Sequence, residues 1–315
     1  MSGIIKKQFD SRYFTLRELA EGVYAAIEKK EADTGSNAGF VDMGDYTVAF
    51  DALLNIDAAK DLIAASEALT CKAPSILVNS HFHADHVVGN CMFGKDARIF
   101  TSKAAKEKML TDSTKMMQEI QGLEPKVLDE LKAQISSEKD TAKLLDLENE
   151  YKFLSNIMKP GVQLRLPDVT FERTLTLHGK NRRAELITFG TAHSPGDVIM
   201  YLPEEKVCFV GDLLFKDSHP WLGTGDPENF IRVLGELLKL DAEIFIPGHG
   251  ELAAKSDIEL EIKYINELLA LMDAKKAKGE AADTVTLSDI SPEFRDWDGL
   301  CFMWNVDFLF KRSEE

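Results

Sequence analysis

The stretch Ser75-Ile76-Leu77-Val78-Asn79-Ser80-His81-Phe82-His83-Ala84-Asp85-His86 decides how this chain is read. Its first five residues are a compact run behind Ala73-Pro74, the pattern of a short buried strand. The strand opens into a histidine-rich loop. In an extended strand end, side chains two residues apart point the same way, so His81 and His83 can chelate one ion. Asp85 and His86 follow where the chain begins to turn and can approach a neighbouring ion from another direction. Without a metal, three imidazoles and a carboxylate in six residues would need several buried partners and would gain little from packing.

The same donor chemistry returns later, each time just beyond an expected strand. Gly190-Thr191-Ala192-His193-Ser194-Pro195-Gly196-Asp197 offers His193 among small residues that let backbone approach closely. Pro247-Gly248-His249-Gly250 offers His249 after the strand 243–246. Between them, Gly211-Asp212-Leu213-Leu214-Phe215 reads as a loop after the strand 206–210, with Asp212 able to put one oxygen on each of two ions. Five of the seven histidines lie in these loops. A lone turn histidine is more often a hydrogen-bonded surface or core residue, and one aspartate before a helix is usually a cap. Seven nitrogen and oxygen donors at strand ends outweigh those readings and suit a borderline-soft ion such as zinc.

The rest of the 315 residues alternates strand and helix patterns. Strands are expected at 22–27, 37–44, 46–50 (with a turn at Gly44-Asp45), 162–166, 169–177, 184–189 and 197–201. Helices are expected over 57–69, from Asp226-Pro227 to about Leu240, and over 258–278. Residues 102–159 read as amphipathic helices broken near Gly122 and Pro125, forming a helical insertion or cap within a single domain spanning 1–315. Met109, Met116, Met117 and Met158 are read as packing residues, as is Cys208. Residues 280–315 form a tail whose aromatic run 300–310 must dock on the fold.

A formal net charge of -16, from 53 acidic and 37 basic residues, disfavours nucleic-acid and anionic-membrane partners. Small anions stay possible substrates, because bound cations dominate the potential inside a site. Residues 1–17 show no secretory apolar run, and the four cysteines form neither a CxxC pair nor a dense framework, so a cytoplasmic setting is expected. The helical segment and aromatic tail offer surfaces for a homo-oligomer.

The string His81-x-His83-x-Asp85-His86, with His193, Asp212 and His249, resembles the complete dinuclear signature of the metallo-β-lactamase superfamily. The contexts Gly-Asp-x-Leu-Phe and Pro-Gly-His-Gly resemble those of glyoxalase II-type hydrolases. The resemblance implies an α/β fold, a four-layer αββα sandwich of the metallo-β-lactamase type with a helical insertion. It implies that His81, His83 and His193 bind a first metal, that Asp85, His86 and His249 bind a second, and that Asp212 bridges them. The β-lactamases with a cysteine ligand do not match, since aspartate stands at the bridging position.

Two divalent cations, zinc foremost with iron or manganese also accepted, would lower the pKa of a bridging water and stabilise charge developing on a substrate. Asp85 is then expected to orient the nucleophile or move a proton, and His219 to protonate a leaving group. Phe82 and Trp221 are expected to contact substrate. Asp42 is a candidate carboxylate partner for a ligand imidazole, with a turn or surface role the alternative. The leading expectation is hydrolysis of a small ester-like molecule, a thioester or lactone included. The other readings are a phosphodiesterase, a mononuclear iron dioxygenase of persulfides using His81, His193 and Asp212, and a non-catalytic metal-bound assembly protein.

Overall fold

A computed structural model of the chain describes residues 9–298 and 301–312. Residues 1–8, at the start of the segment read as lacking a leader, lie outside it, as do 299, 300 and 313–315 of the tail. Two compact units divide the chain. The first takes residues up to Thr101, Lys106–Thr170 and Gly179–Asn181; the second takes Ser102–Ala105, Phe171–His178 and the chain from Arg182 onward.

The first unit is built on a mixed sheet in chain order: β1 (Phe14–Ala20), β2 (Val23–Glu28), β3 (Ala38–Asp42), β4 (Thr47–Phe50), β5 (Ile76–Val78), β6 (Arg98–Ser102) and β7 (Val169–Phe171). The first four strands are antiparallel, and β4, β5 and β6 run parallel. The turn expected at Gly44-Asp45 joins β3 to β4. The crossover from β4 to β5 is α1 (Ile56–Thr70), capped by the Asn55 side chain on the Asp57 N–H at 2.9 Å. Ala58, Leu62 and Ala65 recur at helical spacing and bury against Phe40, Ala49, Leu77 and Ile99 of the sheet. The expected strands missed β1, whose side chains are mostly half-buried or exposed and give little apolar alternation.

Beyond β5 the chain passes through residues 80–83 into α2 (Ala84–Val87) and a 3-10 turn, Val88–Met92. The helical segment follows: α3 (Lys103–Lys108), a π-helical turn at Met109–Ser113, α4 (Thr114–Gln121), α5 (Lys126–Ser137) and α6 (Thr141–Ile157). Gly122 and Pro125 fall in the break after α4. Met117, Ile120, Leu131, Leu154 and Ile157 from these helices pack with Leu54, Ile56, Ala84 and Val88, bracing the shoulder of the histidine loop. Met109 is fully buried beside Phe82 and Val87.

The second unit holds a mixed sheet of order β12-β11-β10-β9-β8, formed by β8 (Thr174–His178), β9 (Arg183–Thr188), β10 (Val198–Leu202), β11 (Val207–Phe215) and β12 (Ile244–His249). Only β11 and β12 pair in parallel. Two helices, α7 (Pro227–Lys239) and α8 (Lys255–Ala277), bury Phe230, Val233, Leu234, Ile258, Ile265 and Leu268 in one cluster with Ile199, Cys208 and Val210. Asp226 caps α7 through the Asn229 N–H at 3.0 Å, with Pro227 at the first turn. The aromatic tail forms α9 (Phe302–Lys311), whose Phe302, Val306 and Leu309 enter the same cluster.

Three expected elements are corrected. Residues 162–166 are not a strand: Arg165 instead spends its guanidinium on the carbonyls of Phe93, Gly94 and Ala97, and its own carbonyl on Asn90. The run 169–177 is two strands, β7 and β8, belonging to different sheets. The expected loop at Gly211–Phe215 continues β11, because pairing resumes past an irregularity with Gly211 opposite Pro247 and Phe215 opposite His249. Two mixed sheets flanked by helices thus give the αββα fold of the metallo-β-lactamase type.

Gly89 sets how closely the 3-10 turn packs on the end of β4. A Cβ there would lie 1.9 Å from the Ala52 carbonyl oxygen and 2.8 Å from the Ala59 Cβ. Gly89→Ala is expected to lower unfolding free energy by about 1–3 kcal/mol, measured by denaturant titration. An unchanged midpoint would show that the turn yields freely.

Candidate metal centre

The histidine loop is held by groups from the strand ends around it. Asp51, directly after β4, has a left-handed backbone (φ 59°) that turns its carboxylate inward. One oxygen accepts the Ser80 N–H at 2.7 Å; the other accepts the Ser80 hydroxyl at 2.8 Å and meets His86 Nδ1 at 2.9 Å. Burial raises the Asp51 carboxyl above the ordinary range, opposed by His86 and by the Ser80 bonds. The Ser80 hydroxyl also meets His81 Nδ1 at 2.9 Å. The Asp85 carbonyl accepts from Ser36 at 2.7 Å, and the His86 carbonyl accepts the Ala52 N–H at 2.9 Å.

In the second unit His193 is fully buried, with Nδ1 at 2.9 Å from the Trp221 carbonyl. Its loop is shaped by Asp197, which accepts the N–H groups of Ala192 and Ser194 and the Ser194 hydroxyl. Burial pushes the Asp197 carboxyl up to about 7, with Asp212 adding to the rise. Asp212 sits on β11 between two imidazoles: Oδ2 is 3.3 Å from His193 Nε2, and Oδ1 is 3.5 Å from His249 Nε2. Phe215 stacks on His249 with ring centroids 5.1 Å apart and gives its N–H to the buried Glu261 at 2.8 Å.

These side chains fall into two groups. His81, His83, His193 and Asp212 form one, and Asp85, His86 and His249 the other; within each, the donor atoms lie within 4.8 Å of one another. They are the seven residues singled out in the sequence. In His81, His86 and His193 one ring nitrogen is tied to Ser80, Asp51 or the Trp221 carbonyl. The other nitrogen turns to a fellow donor: His83 Nδ1 at 2.8 Å, Asp85 Oδ2 at 3.3 Å and Asp212 Oδ2 at 3.3 Å respectively. That division fixes the tautomer a metal ligand needs.

The residues fit a pair of divalent ions. Five imidazoles and two carboxylates are donors of the right chemistry, and the two Asp212 oxygens face one imidazole of each group. Gly248 leaves room for that carboxylate, since a Cβ there would lie 1.8 Å from Oδ1.

The structure separates the other named residues. Phe82 is 7% exposed and packs with Val87 and Met109, its carbonyl accepting the Ser113 hydroxyl at 2.9 Å. Trp221 is partly buried, its ring 6.4 Å from that of His193. His219 belongs to neither group. It is fully buried among Tyr264, Trp297 and Phe302, and neither ring nitrogen has a hydrogen-bond partner among the described residues. Asp42 does not reach a ligand imidazole: it accepts the Gly44 N–H at 2.9 Å and pairs with Lys72 at 3.2 Å. The carboxylate partner is Asp51, whose only sequence signal is its place directly after an apolar strand. Asp197 and Glu261 were likewise missed, each resembling an ordinary strand or helix residue.

Residues 32–249 match the metallo-beta-lactamase superfamily. Among solved structures, a metallo-beta-lactamase from Pontibacter korlensis is 16% identical, covering 80% of this chain and 99% of its own at a TM-score of 0.58. The metallo-beta-lactamase FIM-1 from Pseudomonas aeruginosa, in a mono-zinc form, is 15% identical over 81% of this chain and 96% of its own, at 0.56. A double mutant of the sec-alkyl sulfatase PisA1 is 14% identical and covers 95% of this chain but 50% of its own, at 0.69. No curated protein gives a significant match. The fold and the clustered donors define a dinuclear metal-binding hydrolase. The chain belongs to the metallo-beta-lactamase superfamily.

Two predictions follow from this geometry. Asp51→Asn, which weakens the hold on His86, is expected to lower affinity for the second metal about 10–100-fold, read by competitive chelator titration. Unaltered affinity at both sites would count against Asp51 as an orienting partner. Burial pushes His219 down to about 4, against a weak opposing pull from Asp298. A buried neutral imidazole binds fewer protons than the unfolded chain, so its contribution to stability is present above about pH 6.5 and falls as pH drops towards 4. His219→Phe is expected to flatten the loss of stability between pH 6.5 and 4, a difference of about 2–3 kcal/mol by denaturant titration.

Proposed function

We propose that the protein is a zinc-dependent hydrolase of small ester-like substrates, thioesters and lactones included. The observation that carries this reading is the gathering of seven donors into two groups with Asp212 turned towards an imidazole of each. His81, His83 and His193 would hold one ion, Asp85, His86 and His249 the other, and Asp212 both. A bound pair of such ions supplies Lewis acidity and a water activated near neutral pH.

The chain's own residues then position and move protons. Asp85 is about one-quarter exposed, the most open carboxylate of the set, and lies 3.3 Å from His86 Nε2. That exposure suits it to orient the attacking water and carry a proton to the departing oxygen or sulfur. The burial of His219 in an aromatic cage supports a packing role over proton donation, and the burial of Phe82 supports wedging of the loop. Trp221 keeps the role of substrate contact. The four cysteines, none joined in a disulfide among the described residues, support a reducing compartment, the cytoplasm.

Sulfate esters are a second substrate class. The likeness in fold to the sec-alkyl sulfatase takes in 95% of this chain, against about 80% for the β-lactamases.

Protein purified without chelator is expected to carry two zinc ions per chain and to hydrolyse aryl esters, thioesters or lactones. Chelation should abolish turnover and zinc restore it. Asp85→Asn should lower kcat about 10²–10⁴-fold even in excess zinc, and weaken the hold on the ion shared with His86 and His249. Activity confined to phosphodiesters would overturn the ester reading. A single iron with oxygen uptake on a persulfide would overturn hydrolysis altogether.

A further inference from the structure

The C-terminal helix carries two polar bonds and two exposed apolar side chains that core packing does not require. Phe302, Val306 and Leu309 anchor α9. Asn305, beside them, is fully buried and clasps the backbone on either side of Trp221. Its Oδ1 accepts the Leu222 N–H at 2.8 Å, and its Nδ2 donates to the Pro220 carbonyl at 2.6 Å. The Trp221 carbonyl, held between those bonds, meets His193 Nδ1 at 2.9 Å. The tail therefore braces the backbone that orients a metal ligand.

The same helix presents Trp304 at 48% and Met303 at 42% exposure, among the largest apolar exposures in the described residues. Trp304 meets Trp221 edge to face, ring centroids 6.5 Å apart, and the Trp221 ring in turn stands 6.4 Å from that of His193. Three rings thus run without interruption from a metal ligand to the surface. An indole left half in water costs free energy that burial by an apolar partner recovers, and adjacent apolar groups continuous with a site mark where a ligand lies. Asp307, one turn further along α9, is the nearest acidic side chain on the exposed face in sequence. It makes an anionic tail a poor occupant of that end.

We propose that Trp304, with Trp221, forms a wall that binds the aliphatic chain of the substrate, so that this site prefers esters bearing a medium-length alkyl or acyl chain. The inference rests on the ester-hydrolase reading above and narrows it. No covalent step is added; the wall acts on binding and on the placement of the scissile group.

The test compares aryl esters of acetate, butyrate, octanoate and decanoate with the zinc-loaded wild type, Trp304→Ala and Trp304→Phe. For the wild type, kcat/KM is expected to rise with chain length, by up to about fourfold per buried methylene. Trp304→Ala is expected to lower the decanoate-to-acetate ratio of kcat/KM at least tenfold, and Trp304→Phe to restore most of it. A variant that loses activity equally on all chain lengths, or keeps the wild-type ratio, overturns the proposal. Binding of decanoate and acetate by calorimetry gives a readout independent of turnover. Wild type favouring decanoate while Trp304→Ala does not would uphold the wall even if no ester is cleaved, and the failure would then lie with the assigned reaction. Equal decanoate affinity in both proteins would overturn the wall while leaving hydrolysis intact.

Discussion

Everything in this fold answers to the cost of taking imidazoles and carboxylates out of water together. In the second unit, Asp197, Asp212 and Glu261 are all buried, and Asp212 raises the carboxyls of both the others beyond what burial alone does. Such a group is stable only with protons or cations to balance it. Part of the bonding capacity is taken up locally: Asp197 accepts from the backbone of the His193 loop, and one Glu261 oxygen accepts the Phe215 N–H. Asp212 is left aimed at His193 and His249. Two divalent ions resolve the imbalance, and the chain is arranged to receive them.

That arrangement depends on rigid supports beyond the donors. Asp51, Ser80 and the Trp221 carbonyl each occupy one nitrogen of a ligand ring and so aim the other. Each support rests on an element that cannot easily shift. Asp51 sits at the end of a central strand, and the Trp221 segment is clasped by Asn305 on a helix whose apolar face is sunk in the core. The helical segment does similar work in the first unit, where Met109 and the α4 to α6 side chains pack around Phe82, Ala84 and Val88. The orientation of the donor side chains thereby depends on segments far from them in sequence.

Much of this was legible in the chain itself. The donors were visible because imidazoles crowded at strand ends have few uses other than chelation, and because His81, His83, Asp85 and His86 are a local pattern that runs from the loop after β5 into α2. The α1, α7 and α8 helices announced themselves through apolar spacing and, for α7, through Asp226-Pro227. The strand at 162–166 failed because apolar alternation cannot reveal that Arg165 will spend itself on three carbonyls instead of a ladder. The β7–β8 break failed because periodicity carries across two short strands that pair in different sheets.

The sequence by itself determined which side chains can bind metal and roughly where strands and helices fall, since both are consequences of local spacing. Only tertiary structure decided which carboxylate supports them. Asp42 and Asp51 both follow apolar strand residues, and a left-handed turn and a neighbouring Ser80 select the second. Tertiary structure also withdrew His219 into an aromatic cage, kept Asp212 on a strand through its pairing with β12, and brought Trp304 beside Trp221 from 83 residues away. Those outcomes depend on contacts between distant segments, whose free energy no local pattern encodes.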